Sequence, residues 1–145
     1  INADAPEVNT NMGLLCLAQS KPADAQTYFA KGGQSSENNE ALGNMYIAQG
    51  QYERALTALK GSNTNGEALA MIMTKDYAGA QKVLANVKNA DGNTAYLAAV
   101  AAARTNDAAA VAQNLKKAVS LDSSLKAKAQ NDREFAQFQE AVEAL

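Results

Sequence analysis

Apolar positions recur at helical rather than strand spacing through most of the chain, in short runs broken by turn-forming residues. The stretch "ALGNMYIAQGQYERALTALK", Ala41 to Lys60, shows the pattern best. Leu42, Met45, Tyr46 and Ile47 form one apolar group, "AQGQY" interrupts it, and Leu56 and Leu59 resume it. Gly50 is costly inside a helix but suits the left-handed position that ends one, so the segment predicts helix, tight turn, helix. Gly43 and Ala55 then stand as small residues on facing helices, which lets the two backbones approach closely. Two helices with one apolar face each cannot bury those faces alone, and further copies are expected.

Three copies can be found. Upstream, "NMGLLCLAQSKPADAQTYFAK" repeats the outline thirty positions earlier, with Gly13 for Gly43, Cys16 for Tyr46, Ala25 for Ala55 and Phe29 for Leu59. Pro22 falls just inside its second helix, where a missing N–H costs nothing. Downstream, "EALAMIMTKDYAGAQKVLANV" repeats it after only twenty-five positions. There Ala68, Met71, Tyr77, Ala80 and Leu84 stand for Gly43, Tyr46, Tyr52, Ala55 and Leu59. The five missing residues come out of the connection "GSNTNG", so the first helix of this copy should start late. A fourth copy spans Ala95 to Leu125, with "RTND" as its turn. The fold class expected is all-α, a single domain arranged as an α-α superhelix. Its helix pairs lie at about 6–34, 36–61, 63–88 and 92–122, and capping helices occupy 123–145. In "LKAKAQNDREFAQFQEAVEAL" two more helices are read. Asp132 is the N-cap of the second, and Phe135, Phe138, Val142 and Leu145 form its stripe.

This spacing resembles the tetratricopeptide repeat family, whose unit is a helix pair of about 34 residues. The second copy carries the resemblance in Leu42, Gly43, Tyr46, Gly50, Ala55 and Leu59, and the first in Met12, Gly13, Ala25 and Phe29. In the fourth, "LKKAVSLDSS" places Leu115, Ala118, Leu121 and Asp122, with Ser123 where proline is usual. The likeness covers roughly Pro6 to Ser124. It departs in having no tryptophan, shortened repeats, and Cys16 where tyrosine is expected. The family's register puts the first helix of each pair on a concave inner surface, which implies a groove. Leu14 and Leu17, Asn44 and Ile47, Leu69 and Ile72, and Val100 and Ala103 would line it, with Thr10, Glu40, Asn65 and Tyr96 one turn earlier. Asn44 and Asn65 would bond a peptide backbone, and Tyr96 would anchor it. Lysines of a carboxylate-clamping groove are missing from these first helices.

Composition narrows the function classes. The chain has 145 residues, 47% of them hydrophobic, and alanine accounts for much of that share, which favours close helix packing. Charges nearly balance at −2, without a block of either sign, so there is no footprint for sequence-independent nucleic-acid binding. The longest strongly apolar run, Ala95 to Ala103, is far short of the ~20 residues that span a bilayer. Histidine is absent, which removes the commonest general base and zinc ligand. Cys16 is the one cysteine, lies between Leu15 and Leu17, and reads as buried filler. Met45, Met71 and Met73 read as core, and Glu37 with Glu40, and Glu140 with Glu143, as solvated faces. "DGN" at Asp91 to Asn93 is a turn and helix start, since no series of oxygen ligands follows it. Neither cofactor nor metal is implied, and no enzyme. The expectation is a non-catalytic module binding a partner protein, peptide or helix in the groove. The alternative is an assembly unit of a longer polypeptide that self-associates. The chain begins without Met or a signal-peptide pattern and reads as a fragment or processed product. A periplasmic or lipoprotein parent and a cytoplasmic one both fit.

Overall fold

The structure, a computed structural model, describes Asn2 and Asp4–Leu145. Among these residues it is all-helical, without strands. The helices are α1 (Pro6–Ala18), α2 (Pro22–Lys31), α3 (Ser36–Ala48), α4 (Tyr52–Leu59), α5 (Asn65–Met73), α6 (Tyr77–Ala85), α7 (Gly92–Arg104), α8 (Ala108–Leu121), α9 (Leu125–Asn131) and α10 (Gln139–Glu143). A 3-10 turn, Arg133–Phe135, precedes α10. The first eight helices pack as consecutive pairs. The chain divides into two compact units, Ile1–Ser62 and Asn63–Leu145. Inside the first, α3 packs on both helices of the preceding pair, and inside the second α7 does the same with α5 and α6.

One contact defines every pair. A small residue of the first helix meets a large one sixteen positions later on the second. In the first unit a Cβ added to Gly13 would collide with the Phe29 ring, and one added to Gly43 with the Leu59 side chain. Ala68 and Leu84 share one buried cluster of the second unit, and Ala99 and Leu115 share the other. Ala25, Ala55, Ala80 and Val111 occupy the equivalent site on the second helices, each at 0% exposure. Alanine-scale contact is what allows backbones to approach this closely, and dense packing makes the volume there unforgiving. Cys16 and Met45 are buried and Met71 is half-buried, but Met73 is 43% exposed and does not belong to the core.

The four hairpin turns share a single conformation. Ser20, Gly50, Lys75 and Asn106 all have positive φ, of 59°, 70°, 69° and 57°. After each, an N–H reaches back to the fifth preceding carbonyl: Lys21 to Cys16 at 2.8 Å, Gln51 to Tyr46 at 2.8 Å, Asp76 to Met71 at 2.8 Å, Asp107 to Ala102 at 2.9 Å. This is a Schellman termination, which satisfies carbonyls that the helix end leaves open. Gly50 is the residue such a backbone favours most and Asn106 the next, whereas Ser20 and Lys75 are neither. A β-carbon in the left-handed region costs roughly 1–2 kcal/mol, offset in part by the greater freedom glycine has when unfolded. Lys75→Gly is therefore expected to stabilise the protein by about 0.5–1 kcal/mol, measurable as a raised midpoint in urea. A lowered midpoint would mean that the Lys75 side chain holds the turn.

Caps start the first helices of the later pairs. Ser35 accepts from Asn38 N at 3.1 Å, Thr64 from Glu67 N at 3.3 Å, and Asp91 from Thr94 N at 2.9 Å. The Thr94 N–H holds the Asp91 carboxyl below its ordinary range, and Thr94 Oγ1 accepts from Asp91 N in return, closing a capping box. The shortened connection before the third pair has its predicted effect. The helix α5 has 9 residues where α1, α3 and α7 have 13, about one turn less at its start.

Beyond Ser124 the fold departs from the expected pair of helices. Residues 132–145 form a 3-10 turn and the short α10 rather than one helix. Asp132 does cap, accepting from Glu134 N at 3.0 Å. In a 3-10 turn residues three apart stand above one another. The tight turning continues past Phe135, with Phe138 N bonded to Phe135 O at 2.9 Å, and Phe135 and Phe138 lie in the same cluster.

Candidate functional site

The first helices keep some of the expected inner positions open and commit the others to the interior. In the unit Ile1–Ser62, Leu14 is 46% exposed, Leu17 and Ile47 are half-buried, and Glu40 and Asn44 are exposed. Helical spacing places Leu14 with Leu17, and Glu40 with Asn44 and Ile47, on shared faces of α1 and α3. The result is an apolar strip bordered by one amide and one carboxylate.

Thr10 is not part of it. The side chain is buried, and its hydroxyl donates toward Pro6 O at 3.1 Å and Asn38 Oδ1 at 3.0 Å. Asn38 is the residue that sequence reasoning missed. At 1% exposure it donates to Phe29 O and Gly33 O, both at 2.9 Å, and accepts from Thr10. One amide thus ties α1, the end of α2 and the start of α3 together. Gly32 lies so close that a Cβ there would strike this amide. The only trace in the sequence was "SSEN", a serine three residues before an asparagine, which marks a helix start.

In the unit Asn63–Leu145 the expected residues are largely used internally. Ile72 is buried in a cluster with Ala68, Ala80, Val83, Leu84 and Ala101, so it cannot line a surface. Leu69 is half-buried. Asn65 is partly buried too; its Nδ2 lies 3.4 Å from Asp91 Oδ1, and its Oδ1 is buried without a hydrogen-bond partner. Val100 and Ala103 are half-buried against the clusters around them. Tyr96, the expected anchor, is 4% exposed. Its hydroxyl donates to Asp132 Oδ2 at 2.6 Å, its ring meets Phe135 edge-on at 5.5 Å between centroids, and Lys128 Nζ sits 4.4 Å above it. Burial, then the Asp132 hydrogen bond, push the Tyr96 phenol above its ordinary range.

A second polar tie lies further along the same face of α7. The Arg104 guanidinium makes two hydrogen bonds to the Glu134 carboxylate, from Nε to Oε2 at 2.6 Å and from Nη2 to Oε1. The forked geometry suits a carboxylate, and it raises the Arg104 pKa further. Chain distance hides both pairings from a sequence reading, since Tyr96 and Asp132 are thirty-six positions apart.

Among the described residues no three His, Cys, Asp or Glu side chains are grouped as metal ligands, and no helix is long and apolar enough to cross a membrane. Compared with known protein families, curated proteins and solved structures, the chain matches none.

Proposed function

We propose that this chain is a non-catalytic protein-binding module of tetratricopeptide type, which holds a helix or extended segment of a partner against the first helices of its pairs. The observation that carries this reading is the strip on α1 and α3. Leu14, Leu17 and Ile47 remain accessible beside exposed Asn44 and Glu40, while Cys16, Phe29, Met45, Tyr46 and Leu59 of the same pairs are packed away. An apolar floor takes the nonpolar side of a helix, and an amide at its edge can satisfy a backbone N–H or C=O. The recurring small-to-large contact, the four identical turns and the resemblance in Leu42, Gly43, Tyr46, Ala55 and Leu59 support the family reading.

The test is affinity capture from source-cell lysate, with wild type and Leu14→Lys as baits of matching circular dichroism. A partner held by wild type and reduced at least tenfold on the variant is the expected result. Equal capture would move binding off this strip. No capture, together with light scattering that rises with concentration, would favour self-association of a longer polypeptide instead.

A further inference from the structure

We propose that the face of α7 and α8 under the segment Asp132–Leu145 is a docking surface for acidic, phenylalanine-bearing peptide segments, and that this segment is its resident occupant. The idea rests on the protein-binding reading above and adds a partner chemistry and a form of regulation to it.

Charge is complementary across the contact. The segment Asp132–Leu145 carries Asp132, Glu134, Glu140 and Glu143 against Arg133 alone, four acids less one base, a net −3. Across from it α8 presents Lys116, which lines the cleft together with Glu140, and Arg104 closes α7. The contact is also specific. Tyr96 and Arg104 each engage one carboxylate of the segment, Asp132 and Glu134, and directly after these ties Phe135 enters the cluster of α7 and α8, followed by Phe138. Polar ties beside a buried aromatic anchor define a recognition pattern, and hydrophobic contact alone would not need it.

The grip weakens toward Leu145. α10 has only five residues and none of them is buried. So short a helix has little stability of its own. Between it and α8 lies a cleft of about 660 Å3, lined by Ala108, Ala112 and Lys116 on one side and Phe138, Ala141 and Ala144 on the other. The anchoring ion pair itself is solvent-accessible, at 40% for Arg104 and 29% for Glu134. A segment anchored at Asp132–Phe138, partly through an exposed pair, and loosely seated beyond it over an incompletely filled cleft can be displaced by a competitor of the same chemistry. Its covalent link gives it a high effective concentration, which keeps weak competitors out.

The experiment uses the full chain and a fluorescein-labelled synthetic peptide of residues 132–145, followed by anisotropy. Glu134→Ala in the chain weakens the resident segment and leaves Arg104 for the probe, so the probe should bind at least fivefold tighter than to wild type. Arg104→Ala weakens both occupants and should give no such gain, and a probe lacking the same glutamate should lose it. Exposed ion pairs contribute little to stability, so both variants fold. Equal affinity of the probe for wild type and Glu134→Ala, or a gain in Arg104→Ala as large as in Glu134→Ala, would overturn the proposal and leave the segment a fixed part of the core. That result alongside Leu14-dependent capture would remove the displaceable segment alone. The converse pair of results would remove the strip on α1 and α3.

Discussion

Ala55→Arg is expected to unfold the unit Ile1–Ser62. Ala55 has no exposed surface, and it sits on α4 where that helix closes against α3, one turn before the Gly43–Leu59 contact. Extra side-chain volume in such a site costs about 1–3 kcal/mol when neighbours can shift. A guanidinium without a partner adds several more, because its hydration is lost and nothing replaces it. Against a total stability of about 5–15 kcal/mol for a domain, the sum is decisive. Thr57→Arg is the control, two residues further along the same helix and exposed. Its effect should stay within about 0.5 kcal/mol. Thermal melts followed by circular dichroism would separate the two at once. Equal melting of both variants would sink the pairing of Gly43 with Leu59 and every equivalent pair.

That register was legible because three small residues and three large ones recur at one spacing, to which the structure adds Ala99 and Leu115, and the physics behind the spacing is steric. The turns were legible at Gly50 and in "RTND", where Asn106 takes the left-handed conformation. Ser20 and Lys75 adopt it without a residue that announces it, so tertiary packing of those pairs overrides local preference there. The late start of α5 could be foreseen because the missing residues had to come from somewhere. The break at Phe138 could not. A stripe at intervals of three, four and three suits a continuous helix, and the 3-10 alternative depends on where Asp132 and Phe135 must go to meet Tyr96.

The inner surface was read less well, for a related reason. Helical register says which way a position faces and nothing about what folds over it. Leu14, Asn44 and Glu40 face solvent as the register implies, whereas Tyr96 faces the chain's own Asp132 and Phe135, thirty-six and thirty-nine positions away. Thr10 faces Asn38, which spans three helices through a single amide. Asp132 and Asn38 belong to no periodic pattern, so periodicity could not reveal these pairings.

Asn38→Leu is expected to cost about 3 kcal/mol, roughly 10 °C in melting temperature, although leucine matches asparagine in side-chain heavy-atom count and branching. The cost comes from hydrogen bonds. Removing the Nδ2 donor leaves one lone pair of Phe29 O unanswered in the interior and Gly33 O unanswered at its partly buried edge; a buried group left unpaired costs about 1–3 kcal/mol and a partly buried one less. Thr10 keeps its bond to Pro6 O and adds little. Asn38→Asp distinguishes this account from a packing defect. Its carboxylate would face two carbonyl oxygens in a buried site, so folding favours the protonated form and raises the folded-state pKa above the unfolded value, ordinarily about 4. With the folded value raised, the protonated acid is tolerated below pH 4, and stability is lost as pH rises through the folded pKa. Relative to wild type, Asn38→Asp should therefore melt progressively lower between pH 4 and pH 7, while the Asn38→Leu deficit stays constant over that range. Parallel curves for the two variants would mean that shape, and not the paired amide, fixes the junction of α1, α2 and α3.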